Sequence, residues 1–242
     1  MTSEGTLAAP TPHQLERVVA MLVERIERRF FGKYRGSVVD NEDPLRLGRL
    51  RLTVPSVLGP DVVTGWASPC APYGGAADQG LLFVPERGAG VWAEFEEGDL
   101  EFPLWTGTFW TRHDEGSQVP LSNDTDGNEA GEPQSVPTCK TLKTLKRHTL
   151  QFEDADGAEG ILLREGTHEH LITLDADGVR ILDGAGNEVV LSADGIRLTD
   201  VTGNAVEMTK KAFTLTAKTP FRIDASGQPI QITGSSIALD KG

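Results

Sequence analysis

Two adjacent stretches of sequence, ITLDADGVRILDGAGNE at residues 172–188 and VVLSADGIRLTDVTGNA at residues 189–205, decide the fold of the C-terminal part of this chain. They are identical at eight aligned positions, and a weaker copy follows from Val206. Each copy contains two short runs in which apolar and polar residues alternate, and Asp-Gly and Gly-Asn pairs separate the runs. This pattern predicts short strands joined by tight turns, repeated at a fixed interval in a stacked β architecture over residues 138–242.

The repeats leave one apolar strand face, and no later helix or second sheet follows in the sequence to cover it. We therefore predict threefold association, in which three copies form an intertwined β-helix or β-prism needle with their apolar faces inward. The predicted trimer core comprises Val179, Ile181, Ile196, Leu198, Phe213, Leu215, Phe221, Ile223, Ile230 and Ile232.

The segment before the needle, residues 111–137, has few large apolar residues and many acids. This composition predicts a linker or a long surface loop. Its stretch Asn123–Gly127 resembles part of a calcium-binding loop. The position that should carry a bidentate glutamate is Pro133, however, so we reject an EF-hand.

Residues 32–110 contain short runs of strand-forming residues, each bounded by Gly, Pro, Asn or Asp. Five such strands in about 80 residues predict a small closed barrel of the OB-fold type, and its four tryptophans are expected in the core. The predicted strands are Tyr34–Asp40, Leu47–Val54, Gly80–Val84, Gly90–Glu96 and Phe102–Phe109.

A single amphipathic helix is predicted over residues 11–31, after a loose tail at residues 1–10. Thr11 and Gln14 form a capping box, with Pro12 at the first helical position. The apolar residues that follow recur at helical spacing. This stripe could pack on the helix's own domain or dock on a neighbouring subunit, and the sequence leaves both alternatives open.

Composition excludes several functions. The chain carries 23 Lys and Arg against 36 Asp and Glu, a formal net charge of −13, which argues against nucleic acid or anionic lipid as the main partner. It contains no run of about 18 apolar residues that could span a membrane and no secretory signal. Common hydrolase, phosphate-binding and dinucleotide motifs are absent, so we predict no catalytic residues and no cofactor.

Several motifs of the barrel region resemble a known family. They are Phe31–Gly36, Gly48–Leu50, Pro85–Asp99 and Trp105–Gly107. These residues resemble the N-terminal barrel of phage baseplate assembly protein V and of related spikes in R-type pyocins, type VI secretion (the valine-glycine repeat, VgrG-like, proteins) and extracellular contractile injection systems. The later stretch His148–Asp154 resembles the start of that family's needle.

The resemblance implies a non-enzymatic, homotrimeric central spike that is made in the cytoplasm and assembled into a phage-tail-like particle. A separate hub protein at the end of the inner tube would bind its base, and a PAAR-type protein would cap its tip among other baseplate partners. Such a spike pierces a membrane without residing in it. The expected contacts are Leu15, Leu22 and Ile26 with the hub, and Ile237 and Leu239 with the tip protein.

Some relatives bind iron through a His-x-His pair near the needle tip, and this chain has His168 and His170 near the needle base. We assign no metal there. Two other functions remain as alternatives to the spike. A trimeric β-fibre adhesin should end in an aromatic-rich head, whereas this chain ends in repeats, and a cell-wall hydrolase should carry an inserted catalytic domain.

Overall fold

A computed structural model describes residues 11–27, 29–114 and 116–239. The predicted tail at residues 1–10 lies outside them. The chain is mainly β and divides into two compact units, one up to Gln118 and one from Val119. The division falls inside the segment 111–137.

Helix α1 spans Pro12–Glu27. The predicted capping box is present, because Gln14 Oε1 accepts the Thr11 backbone N–H at 2.8 Å and the Gln14 N–H donates to Thr11 Oγ1 at 3.4 Å. The helix ends earlier than the predicted residue 31, since the Phe30 N–H donates to the Gly98 carbonyl at 2.9 Å and is no longer available to a helix. Among the described helices, none has both the length and the apolar character needed to cross a bilayer.

The first unit is a curled five-stranded sheet, consistent with an OB-fold. A buried cluster fills it, in which Leu50, Leu52, Val54 and Val91 are fully buried and Trp105 lies beside them. Its strands are β1 Tyr34–Asp40, β2 Arg51–Thr53, β3 Ser68–Pro69, β4 Gly90–Phe95 and β5 Pro103–Thr108. They lie in the order β2-β1-β4-β5-β3. A short helix, α2 at Pro55–Leu58, and a 3₁₀ turn at Glu96–Gly98 connect some of them.

One predicted barrel strand was wrong. Gly80–Val84 lies in a loop, where the Leu81 N–H donates to the Tyr73 carbonyl of the same loop instead of to a sheet. The fifth strand is Ser68–Pro69, which pairs in parallel with β5.

The prediction that all four tryptophans lie in the core was also wrong. Only Trp105 belongs to the buried cluster, and Trp110 is exposed. Trp66 and Trp92 are half-buried, with the guanidinium groups of Arg49 and Arg35 over their rings. Each of these two rings therefore makes a cation–π contact at the edge of the barrel.

A short hairpin, β6 Arg112–His113 with β7 Gly116–Ser117, follows the barrel. The second unit is a nine-stranded antiparallel meander in which each strand pairs with the next along the sequence. The two strands of each sequence repeat recur at the same place in the next copy, as predicted. The strands are β8 Cys139–Lys143, β9 Thr149–Glu153, β10 Gly160–Arg164, β11 Leu171–Asp175, β12 Gly178–Leu182, β13 Glu188–Ser192, β14 Gly195–Thr199, β15 Ala205–Thr209 and β16 Phe213–Thr216.

An Asp-x-x-Gly-Asn turn recurs in this unit. In Asp183–Asn187 and Asp200–Asn204 the aspartate accepts both the backbone N–H and the side-chain amide of the asparagine. The glycine has a φ of 96° or 88°, which disfavours other residues. Asp124–Asn128 makes the same hydrogen bonds, with Gly127 at a φ of 85°. The stretch that resembles a calcium loop is therefore another copy of the repeat turn.

The segment around this turn, residues 121–134, packs on the sheet. The backbone of Asn123 exchanges two 2.8 Å hydrogen bonds with the side chain of Gln151, which is buried. Arg180 reaches Asp126 at 2.8 Å, and Lys143 reaches Glu129 at 2.8 Å. These contacts cover one face of strands β8–β12.

Candidate assembly interface

Cross-strand pairing collects the apolar residues of the second unit on one face of the sheet, here called the apolar face. Directly paired residues of an antiparallel sheet share a face, and so do residues two apart in a strand. The first row of the apolar face consists of Phe152, Ile161, Leu174, Val179, Leu191, Ile196, Met208 and Phe213. The second row consists of Leu142, Leu150, Leu163, Ile172, Ile181, Val189, Leu198, Val206 and Leu215.

Much of the apolar face is exposed in the described chain. Phe213 is 64% exposed and Leu215 is 55% exposed, and exposure is also high at Ile181 and Leu198. Near the start of the sheet, the face opposite the apolar face is buried, because segment 121–134 packs against it. Its buried residues are Thr149, Gln151, Leu162, Leu171 and Thr173. An exposed apolar surface of this extent is typical of a protein interface.

Six of the ten predicted trimer-core residues lie on the apolar face: Val179, Ile181, Ile196, Leu198, Phe213 and Leu215. The prediction omitted their cross-strand partners, such as Val189 and Leu191, although the alternation in the first strand of each repeat was sufficient to identify them.

The other four predicted core residues lie beyond β16, where the predicted strands at 221–223, 230–232 and 237–239 do not form. Pro220 and Pro229, which lack a backbone N–H, precede two of these triplets, and no later segment of the described chain pairs with them. Phe221 instead borders an open groove of about 970 Å³ beside the second row. The residues concerned are Phe221, Ile223, Ile230 and Ile232, together with the predicted tip contacts Ile237 and Leu239, and all are exposed.

Helix α1 presents a second uncovered apolar surface. Leu15, Leu22 and Ile26, the predicted hub contacts, are all exposed, and so are the other apolar residues of its stripe. Beyond the helix, Arg29 Nη1 lies 3.0 Å from Asp99 Oδ2, and this ion pair ties the following chain to the barrel. The described residues therefore do not show the first alternative, in which the apolar stripe packs on the helix's own domain.

A cluster of histidines surrounds Glu165 in the turn between β10 and β11. The backbone N–H of His168 donates to Glu165 Oε2 at 2.6 Å and lowers the pKa of that carboxyl to about 2. Donor atoms of Glu165, His168 and His170 lie within 4.8 Å of one another, a spacing that a metal site could use.

The hydrogen bonding of this cluster does not suit a metal. His170 Nδ1 accepts the Gly184 backbone N–H at 3.1 Å. A neutral imidazole that accepts at Nδ1 carries its proton on Nε2, so neither nitrogen has a lone pair left for an ion. Metal-bound histidines show the opposite arrangement, in which the second ring nitrogen donates. We therefore attribute the cluster to turn structure.

Comparison with known protein families identifies both units. Residues 34–110 match the Type VI secretion system/phage-baseplate injector OB domain. Residues 140–196 match the phage baseplate V C-terminal trimerisation domain, which takes in the sheet from β8 to the start of β14. No curated protein matched the chain significantly.

Proposed function

We propose, from the premise that this chain belongs to the baseplate spike family, that it is the homotrimeric central spike linking the tube hub of a contractile injection particle to its tip. The family is a structural component of phage-tail-like particles, and its trimerisation domain associates with itself. The observation that carries the proposal is the apolar face, which extends across the nine-stranded sheet and stays largely exposed among the described residues of one chain.

Three such sheets, with their apolar faces turned to a common axis, would bury both rows of each chain. The strands would then lie across the axis, and their backbone hydrogen bonds would run along it. Nine strands at a spacing of about 4.8 Å give a needle section roughly 40 Å long. Axial load would act along ladders of hydrogen bonds, an arrangement that resists bending.

Two other exposed apolar surfaces support a partner at either end of the spike. In this proposal α1 docks on a separate hub protein through Leu15, Leu22 and Ile26. The segment after β16 pairs with neighbouring chains, and Ile237 and Leu239 contact a PAAR-type tip protein. The spike itself performs no catalysis.

Adjacent residues on opposite faces of β16 provide the test. Leu215 belongs to the second row, whereas Thr214 pairs with Glu207 on the opposite face. Native mass spectrometry should find three chains for the wild type and for Thr214→Lys, whose ammonium faces Glu207, and single chains for Leu215→Lys. A monomeric wild type, or equal behaviour of the two variants, would refute the proposal.

A further inference from the structure

Successive turns along one edge of the second unit are joined by side-chain acceptors. Asn187 Oδ1 accepts the backbone N–H of Val201 at 3.1 Å, from the next turn on the same edge. Asn204 Oδ1 likewise accepts the backbone N–H of Lys218 at 2.7 Å, and in both cases the donor lies 14 residues after the asparagine. Each asparagine thereby ties its own turn to the following one, and the series is here called the turn ladder.

Histidines take the place of asparagine at the start of the turn ladder. His170 occupies the position equivalent to Asn187 one repeat earlier, and its Nδ1 accepts the Gly184 N–H at 3.1 Å, again at the same separation. One turn earlier, His148 Nδ1 accepts the Gly166 N–H at 3.1 Å. The ladder therefore has two histidine rungs followed by two asparagine rungs.

The two kinds of rung differ in their response to acid. An amide oxygen accepts a hydrogen bond at any ordinary pH, whereas an imidazole nitrogen accepts only while it is unprotonated. Protonation would place an N–H of the ring against a backbone N–H. We propose that the turn ladder is an acid-sensitive device whose histidine rungs open on protonation while its asparagine rungs stay closed.

Charged neighbours determine the consequence of opening at His148. Its Nδ1 lies 3.5 Å from Glu165 Oε1, and Arg147 is adjacent in sequence. Glu165 remains a carboxylate at every pH at which histidine titrates, because its pKa is about 2. A proton taken from solvent by Nδ1 therefore turns this nitrogen from an acceptor for Gly166 into a donor for Glu165.

His170 faces a different set of groups. Its ring stacks on that of His168, with centroids 5.8 Å apart, and Glu165 lies within the same cluster. The turn opposite contributes Asp183, whose carboxylate already accepts backbone N–H groups of its own turn. Protonation of both imidazoles would place like charges in a stacked pair, which adds to the loss of the Gly184 hydrogen bond.

The expected consequence is a graded loosening of this edge. In acid the turn at 165–170 loses the His170 rung to the next turn, whereas His148 holds it through Glu165 in place of the Gly166 N–H. The amides of Gly166 and Gly184 both lose their acceptors. The turns between β12 and β16 remain tied by Asn187 and Asn204. This inference depends only on the second unit's own hydrogen bonds and is independent of the proposed partners.

Site-resolved hydrogen exchange on the full chain tests it, because the four rungs serve as controls for one another. After correction for intrinsic chemical rates, exchange at Gly166 and Gly184 should accelerate about fivefold between about pH 7.5 and about pH 5, as expected for loss of one hydrogen bond. Exchange at Val201 and Lys218 should stay constant. Four amides that respond alike would overturn the proposal.

A conservative substitution separates titration from general acid effects. His170→Asn places in this slot the residue that already occupies it at 187 and 204, so the rung should persist and the pH response at Gly184 should disappear. Gly166 should still respond. If Gly184 keeps its pH response in this variant, the proposal fails. If His170→Asn does not fold, His148→Asn provides the same test, and the pH response of exchange at Gly166 should then disappear.

Discussion

The guanidinium of Arg49 holds both carboxylate oxygens of Asp43. Arg49 Nη2 lies 2.6 Å from Asp43 Oδ1, and Arg49 Nε lies 3.1 Å from Oδ2. The same carboxylate accepts backbone N–H groups of Leu45 and Leu47, and its side chain is only 3% exposed. One residue therefore organises the loop that leads into the barrel core at Leu50.

Replacing this carboxylate should destabilise the first unit. Asp43→Asn keeps the shape but removes the charge that Arg49 pairs with, so we expect the melting temperature of this unit to fall by several degrees. Tryptophan fluorescence isolates the transition, because all four tryptophans lie between residues 66 and 110. Glu42→Gln, at an exposed neighbour that pairs with Arg87, should leave it within about one degree.

The same pair predicts a dependence on pH. Hydrogen bonding to Arg49 holds the pKa of Asp43 well below its usual range. A depressed folded-state pKa contributes stability that is complete above the unfolded value, about 3.9, and is lost as the pH falls further. The melting temperature of the wild-type first unit should therefore drop below about pH 4. A drop of equal steepness in Asp43→Asn would contradict this assignment.

Gly195 should tolerate no side chain. Its φ is 147°, and a Cβ added there would lie 1.9 Å from the Met208 carbonyl oxygen on β15. We expect Gly195→Ala to lower the free energy of unfolding of the second unit by about 3 kcal/mol, measured by denaturant titration at fixed protein concentration. Gly131→Ala meets no atom within 4 Å and is the matched control, so equal losses would exclude this explanation.

Arg180 and Arg197 occupy equivalent repeat positions but have different partners. Arg180 pairs with Glu188 at 2.6 Å and with Asp126 at 2.8 Å, so it ties segment 121–134 to the sheet. Arg197 is 55% exposed and pairs with Glu207 at 3.4 Å. Arg180→Met should accelerate proteolysis within residues 123–129 severalfold, and Arg197→Met should not. Equal cleavage of the two variants would show that Arg180 does not hold this segment.

Helix α1 offers a test of the proposed hub contact. Leu22→Ser removes an exposed apolar side chain at the centre of the stripe and should weaken capture of the co-expressed hub protein at least tenfold, with the oligomeric mass unchanged. Arg17→Ser on the polar side of the helix is the control. Unimpaired capture by Leu22→Ser would place the hub contact elsewhere.

Features that depend on near neighbours along the chain could be predicted from the sequence. The start of α1 follows from Thr11 and Gln14, which are three residues apart. The strands β12 and β14 and their turns follow from alternation and from glycines that recur at the same position of each repeat. Leu191 and Val189, on the apolar face, follow the same alternation. Each of these signals is contained in a short window.

Other features depend on which distant segment supplies the partner, and only the tertiary structure decided them. The run Leu81–Val84 is as apolar as a strand, yet Ser68–Pro69 takes the free edge of β5. The residues of Asn123–Asn128 resemble a calcium loop in sequence. Their hydrogen bonds, however, are those of the repeat turn Asp183–Asn187.

His170 and Asn187 share no obvious chemistry in the sequence, yet both accept an N–H from the next turn in the fold. The amino-acid sequence by itself determined the strands and turns of the repeats and the apolar stripes, because backbone propensity and side-chain alternation act locally. The folded structure decided the pairing of edges and the equivalence of acceptors, because a hydrogen bond requires two groups brought together across the chain.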